Sequence, residues 1–229
     1  MKLAKQHIDV GYQTNRIEAM LRFWQQEVGL VFEELLAINA TDKQHRHALN
    51  GSVFKLNEVA AELTTSDPTG YTGLLIAEES VEEPISLYDP DDNRVTLVPP
   101  DFADLTRVGI EIEVSSLEKS GSFYANVLGA QRHSDTCFQL GTTLIYLSEN
   151  TTLAPTKGLH GSGFRYLTIQ VLDVDVEHRK AVKAGANATV EPFNMGKTAR
   201  ISFITDPDGN WIELSQRASL TGPLPNDME

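Results

Sequence analysis

One nine-residue phrase occurs twice in the chain. Asp89-Pro90-Asp91-Asp92-Asn93-Arg94-Val95-Thr96-Leu97 aligns without a gap on Asp206-Pro207-Asp208-Gly209-Asn210-Trp211-Ile212-Glu213-Leu214, at an offset of 117 residues. A second pair keeps the same order: Phe23-Trp24 with Val28-Gly29-Leu30 matches Phe123-Tyr124 with Leu128-Gly129-Ala130, at an offset of 100. Two ordered anchors make the chain an internal duplication, which settles the repeat before any other pattern is read. Between the anchors the second copy is longer by 17 residues (117 less 100).

The repeated phrase is itself a hairpin signal. Pro207 presets φ for a tight turn, Gly209 accepts a positive φ, and β-type runs at 201–204 and 211–214 flank the turn. Along the second run Ile212 and Leu214 face one way, Trp211 and Glu213 the other. A carboxylate at mid-strand lines a cup or faces solvent from an edge strand, and this strand alone leaves both open.

A length of 229 residues suits two domains of roughly 100 residues each. The net charge of −13 argues against a nucleic-acid partner and against anionic membrane surfaces. Cys137 is the single cysteine, so no internal disulfide forms and a reducing compartment is expected. Residues 1–7 carry no long apolar run, and no stretch approaches a membrane span. The expectation is a cytoplasmic protein whose partner is a small-molecule ligand, with no nucleic acid and no membrane; a homodimer is compatible with the sequence.

Alternation places Ile8, Val10 and Tyr12 on one face of a first strand and His7, Asp9 and Gly11 on the other. Asn15 is the cap candidate for a helix with the stripe Ile17, Met20, Leu21 and Trp24, stopped at Gly29. A strand at 32–38, a polar histidine-rich stretch at 41–49 and a strand at 51–56 follow. Residues 60–69 read as a loop, with Asp67-Pro68 and Gly70 as turn signals. A short strand at 74–77 and a Glu-rich link lead to the first hairpin. The second copy reads as a strand at 108–114, a helix capped from Ser115 or Ser116, strands at 137–140 and 143–147, a loop at 151–163, a strand at 166–171 and a helix at 174–184 ended by Gly185. That last helix has no counterpart in the first copy, and the 17-residue shortfall falls there. The chain therefore holds four half-units, the second one shortened. The expected division is a first domain at 1–98, a linker at 99–105 around Pro99-Pro100, a second domain at 106–218 and a flexible tail at 219–229.

These residues resemble the vicinal oxygen chelate superfamily, which takes in glyoxalase I, extradiol dioxygenases, fosfomycin-resistance enzymes and bleomycin-binding proteins. The resemblance rests on residues 109–129, on Val171-Leu172-Asp173-Val174-Asp175 and on both hairpins, and it covers nearly the whole chain. It implies an α+β fold of paired βαβββ modules forming cupped mixed sheets, with two tandem domains and an open cup in each. It also implies a metal site of two histidines and a glutamate, with positions left open for substrate oxygens. In the second copy those positions fall on Gly109, Tyr166 and Glu213; in the first, Thr96 stands at the glutamate position and Asp9 at the first-strand position, with His7 two residues before it. The triad is in register in neither copy. A divalent metal thus belongs to the family pattern, but no metal ligand set is assigned.

The remaining polar group is His7, Asp9, His45, His47 and Asn50. His45 and His47 share a face if 41–49 is extended, and the segment ending at Gly51 feeds a strand beside the first cup. For this group a surface loop, a substrate contact and a metal site all stay open; as a site it makes His7, Asp9 and His47 the acid–base candidates and His45 and Asn50 substrate contacts. Glu111 shares a face with Gly109 and, with Tyr166 and Glu213, gives an acidic second cup as the other candidate for substrate binding. Arg165 is expected in a surface ion pair and Cys137 in the core. Two functions remain open: a lyase, isomerase or dioxygenase-like enzyme acting on a small oxygenated metabolite, or a metal-free protein that binds or sequesters a hydrophobic or aromatic compound, as in the bleomycin-resistance branch.

Overall fold

The computed structural model describes residues 1–64 and 68–225. The turn signal at Asp67 and residues 226–229 of the expected tail lie outside the described residues. The first half-unit is β1 (Asp9–Thr14), α1 (Ile17–Arg22) continued by a π-helical turn (Phe23–Glu27), β2 (Phe32–Ala37), β3 (Lys43–Leu49) and β4 (Ser52–Glu58). The second is β5 (Tyr71–Ala77), β6 (Ile85–Tyr88) and β7 (Arg94–Val98), with no helix among its described residues, as the shortfall predicted. The third is β8 (Val108–Val114), α2 (Leu117–Ser122), β9 (Gln131–Arg132), β10 (Cys137–Leu140) and β11 (Thr143–Glu149). The fourth is β12 (Gly163–Gln170), α3 (Val174–Lys183), β13 (Asn187–Met195), β14 (Ala199–Thr205) and β15 (Trp211–Arg217), followed by one helical turn, α4 (Ala218–Thr221), at the start of the expected tail.

The α+β class and the modules agree with the reading of the sequence; the grouping of modules into cups does not. An eight-stranded sheet runs β13-β14-β15-β12-β1-β4-β3-β2, and a seven-stranded sheet runs β6-β7-β5-β8-β11-β10-β9. Each sheet therefore takes one half-unit from each copy. The first strand of a half-unit has one free edge, and it is filled across the duplication: β1 pairs antiparallel with β12, and β5 with β8. The cup expected within 1–98 and the cup expected within 106–218 are replaced by an outer-quarters cup and an inner-quarters cup.

The sheets pack face to face. Val10, Phe164 and Leu167 of one and Tyr71, Leu74 and Ile110 of the other border the same small internal void. Tyr12 joins this core with its ring 5.3 Å from Phe164, 5.9 Å from Phe54 and 6.2 Å from Trp24. Its hydroxyl donates to Asp89 Oδ2 at 2.6 Å, tying the first strand to the first repeated turn. Tyr124 does the same for the second, donating to Asp206 Oδ2 at 3.1 Å. Burial of the Asp206 carboxyl pushes its pKa up to about 6.

Local differences from the sequence reading have simple causes. The histidine-rich stretch is a strand, β3, because Asn50 (φ 47°) and Gly51 (φ 93°) form a left-handed two-residue turn that folds it onto β4. Asn15 does not cap α1; its Nδ2 donates to Val59 and Ala61 carbonyls, while Thr14 Oγ1 accepts from Arg16 N. Of the two serine candidates Ser116 caps α2, and Asp173 caps α3. The linker after Pro99-Pro100 is not a free tether. Leu105 is fully buried with Val98 and Leu144, and Tyr146 Oη donates to Ala103 O at 2.9 Å, so this segment plugs the seven-stranded cup.

Candidate functional site

The eight-stranded sheet keeps an open cleft of about 660 Å3 on the face turned away from the other sheet. Strand alternation decides what lines it. On β1 and β12 the residues Gln13, Tyr166 and Gln170 face the cleft; on β3 and β4 the residues are Gln44, Arg46, Lys55 and Asn57; on β15 they are Glu213, Ser215 and Arg217. Leu36 and Ile38 form one apolar wall, and Phe193, Met195, Ile201 and Phe203 form the other. The site thus has a polar floor between apolar sides, the usual arrangement for a small-molecule pocket.

The floor is a connected network. Lys55 Nζ donates to Glu213 Oε2 at 2.8 Å and to Thr168 Oγ1 at 2.7 Å, and Thr168 Oγ1 donates to the same glutamate oxygen at 2.6 Å. Lys55 and Glu213 side chains are 6% and 9% exposed, so this is a buried ion pair. The register explains it: Thr168 and Glu213 are direct neighbours on β12 and β15, while Lys55 lies across β1 from them. Tyr166 packs beneath, with Lys55 Nζ 5.5 Å from its ring centre. The bulk of that ring requires Gly11 opposite, where a Cβ would stand 2.3 Å from it. Tyr166 Oη accepts from Asn57 Nδ2 at 3.2 Å and Gln44 Nε2 at 3.4 Å. Burial pushes the phenol well above the ordinary tyrosine range, so Tyr166 is a hydroxyl donor at any physiological pH. Arg46 Nη1 donates to Gln44 Oε1 at 2.9 Å, and Gln44 Nε2 to Asn57 Oδ1 at 2.9 Å.

Of the residues singled out in the sequence, Asp9, Tyr166 and Glu213 meet on this face, although they were assigned to different cups. Asp9 sits below the open cleft, 1% exposed, accepting from Lys5 Nζ at 2.7 Å, Val53 N at 2.9 Å and Gln170 Nε2 at 3.2 Å. The histidines are elsewhere. On β3 the cleft takes Gln44 and Arg46, so the odd-numbered His45 and His47 turn to the opposite face, a one-residue difference that reverses every side chain. His47 is fully buried, packed against Phe32 and Phe54 with Nε2 3.1 Å from Gln25 Nε2, and burial lowers its pKa to about 4. His45 Nε2 lies 3.1 Å from Glu58. His7 leaves β1 before the cup and packs between Thr142 Oγ1 and the Gly51 turn. Asn50 serves that turn, donating to Ala77 O at 2.7 Å. Glu111 belongs to the seven-stranded sheet, paired with Arg94 at 2.8 Å. Arg165 is not at the surface: it is fully buried and its guanidinium donates to the Leu159 and Gly158 carbonyls, holding the loop that contributes Leu159 to the cleft rim.

Sequence reasoning missed Lys55, Arg46 and Gln44. The signal was present in residues 52–58, where Lys55 and Asn57 alternate with Phe54 and Leu56, a strand with one polar face too well spaced for chance.

Residues 107–214 match the model of the Glyoxalase/Bleomycin resistance protein/Dioxygenase superfamily. This stretch, just under half of the chain, is a domain of that superfamily. Glyoxalase I from Zea mays superposes with a TM-score of 0.73 at 16% identity, over 92% of this chain and 92% of that one. A candidate dioxygenase from Bacillus subtilis subsp. subtilis str. 168 gives 0.65 at 10% identity, over 94% and 86%. The cppA protein from Streptococcus pneumoniae TIGR4 gives 0.53 at 11%, over 94% and 100%. At these identities the likeness establishes the fold alone. No curated protein matches the sequence.

The resemblance implies a metal, and the cup residues do not fit one. Its carboxylates are committed, Glu213 to Lys55 and Thr168 and Asp42 to Ala60 N and Asn39, while Asp9 beneath the cleft is held by Lys5 and Val53 N. No histidine lines the cleft, and among the described residues no group of three His, Cys, Asp or Glu side chains converges. An ammonium 2.8 Å from the glutamate occupies the space and supplies the charge that a cation would.

Proposed function

We propose that the eight-stranded cup binds a small oxygenated molecule without a metal ion. The observation that carries this reading is the buried Lys55–Glu213–Thr168 cluster on the cup floor. It supplies a fixed positive charge and a carboxylate at the base of a cleft with apolar walls, so polar groups orient the ligand and the walls hold its body. The superfamily's name includes bleomycin resistance, and binding of the sequestering kind is consistent with a floor whose lysine and glutamate are already paired with each other. Turnover is the alternative use of the same floor, with Tyr166 Oη and Glu213 as the groups that would handle a proton.

The test is a thermal-shift screen of small oxygenated metabolites on the parent protein, repeated on Ala199→Trp. Ala199 lies on the cleft wall, 8% exposed, and an indole there fills the space. Compounds that stabilise the parent are expected to lose their effect in the variant. Hits that stabilise both alike put the site elsewhere, and a hit consumed with time moves the reading from binding to catalysis.

A further inference from the structure

The charge arrangement of the cup goes further than its shape. Arg46 and Lys55 are direct cross-strand partners on β3 and β4, and both side chains face the cleft. Like charges placed opposite each other destabilise a sheet unless an anion lies between or beside them. Lys55 has Glu213. Among the described residues the ion-pair partner of Arg46 is Glu34, at 3.6 Å, 47% exposed and shared with Arg217 at 3.5 Å; the buried Asp9 adds a favourable charge from beneath but is held by Lys5. Arg217 also lines the cleft. One half-exposed rim carboxylate therefore serves two guanidiniums. The other carboxylate on the cleft margin, Asp42, is turned into its own loop, where it accepts from Ala60 N and Asn39 Nδ2. In a chain of net charge −13 the cleft is lined by Arg46, Lys55 and Arg217 against Glu213 and Asp42.

The floor also keeps hydrogen-bond donors available to a ligand. Gln44 and Asn57 both spend amide donors on Tyr166 Oη, which leaves the phenolic hydrogen as a donor without a protein acceptor among the described residues. Lys55 uses two of its three N–H donors on Thr168 and Glu213. Arg46 retains N–H groups beyond the one given to Gln44. Donors thus remain on Tyr166, Lys55 and Arg46, beside the unpartnered acceptor Gln170 Oε1, and the surrounding walls include Leu36, Ile38, Met195 and Phe203.

We propose that the ligand is a small carboxylate or an equivalent oxyanion with an apolar body, its anionic group seated on Arg46, Lys55 and the Tyr166 hydroxyl. This rests on the cup being the binding site. Charge-assisted hydrogen bonds to such a group are about twice as strong as neutral ones, and a guanidinium matches a carboxylate edge to edge. The cup then discriminates a carboxylate from its uncharged amide, which has the same shape.

The experiment is isothermal titration of the full chain with 2-naphthoate and octanoate, each beside its amide, at low and at high salt. At least one acid is expected to bind about tenfold tighter than its amide, with the difference shrinking in salt. Arg46→Gln is expected to bring acid and amide within about twofold of each other. Thr198→Trp, at the exposed cleft rim, and Ala199→Trp are expected to block both; the rim variant covers the case in which the wall variant does not fold. Acid and amide binding equally, with both blocked by the rim variant, overturns the anion inference and leaves the cup as a binding site. Binding indifferent to both tryptophans overturns the cup reading. No binding by any of the four compounds overturns the anion inference.

Discussion

Removing the ammonium from Lys55, as in Lys55→Met, is expected to cost more stability than its one ion pair suggests. The side chains of Lys55 and Glu213 are 6% and 9% exposed, so neither charge is well solvated in the fold. Deleting one partner of a buried pair leaves the other charge uncompensated, at about 3–5 kcal/mol. Glu213 borders an open cleft, which places the expected loss at the lower end, about 3 kcal/mol. Thr168 Oγ1 remains as the one donor to the carboxylate. The variant should also gain a pH dependence. Burial without a cation favours the protonated carboxyl, so the folded variant holds a proton that the unfolded chain releases, and stability falls as pH rises. Urea unfolding followed by tryptophan fluorescence at pH 5 and pH 8 measures both effects, the loss being larger at pH 8. Glu213→Gln added to Lys55→Met should recover part of it, giving a coupling of about 1–3 kcal/mol in the double-mutant cycle. A single-variant loss under about 0.5 kcal/mol, with no coupling and no pH dependence, would refute the buried ion pair as the organising contact of the floor.

Three further outcomes follow from contacts outside the floor. Burial holds His47 at about 4, below its ordinary value, so the folded chain binds fewer protons than the unfolded one; its contribution is full above about pH 6.5 and is lost as pH falls toward 4, and His47→Leu should flatten the acid limb of a stability–pH curve by roughly 2–3 kcal/mol. Tyr12→Phe takes a donor from Asp89, which is 3% exposed, and should cost about 1–2 kcal/mol in chemical denaturation. Leu105→Ala opens a cavity under the linker and should cost about 2–4 kcal/mol while leaving ligand titrations of the other cup unchanged.

The duplication, the hairpins at Asp89 and Asp206, and the missing helix of the second half-unit were legible because each depends on local sequence. Which half-units share a sheet was not. Pairing of β1 with β12 joins residues 150 or more apart, as Gln13 with Gly163 and Asp9 with Thr168, and nothing in the alternation of either strand names its partner. That hidden pairing brings Asp9, Tyr166 and Glu213 together. The face of β3 was misjudged for a related reason. In a strand with polar residues on both sides, hydrophobic pattern does not fix which side is in, and the turn at Asn50-Gly51 sets it instead. Lys55 escaped notice because a lysine mid-strand reads as surface until Glu213 is placed opposite it.

The most direct test of a metal-independent cup is titration of protein purified without chelators or a metal-affinity tag with Mn(II), Zn(II) and Ni(II), alongside its elemental content. The account predicts substoichiometric metal as purified and no saturable binding that responds to Glu213→Gln. One equivalent of any of these ions, taken up by the parent and lost in Glu213→Gln, would contradict it, because the carboxylate would then have to leave Lys55 to hold the metal.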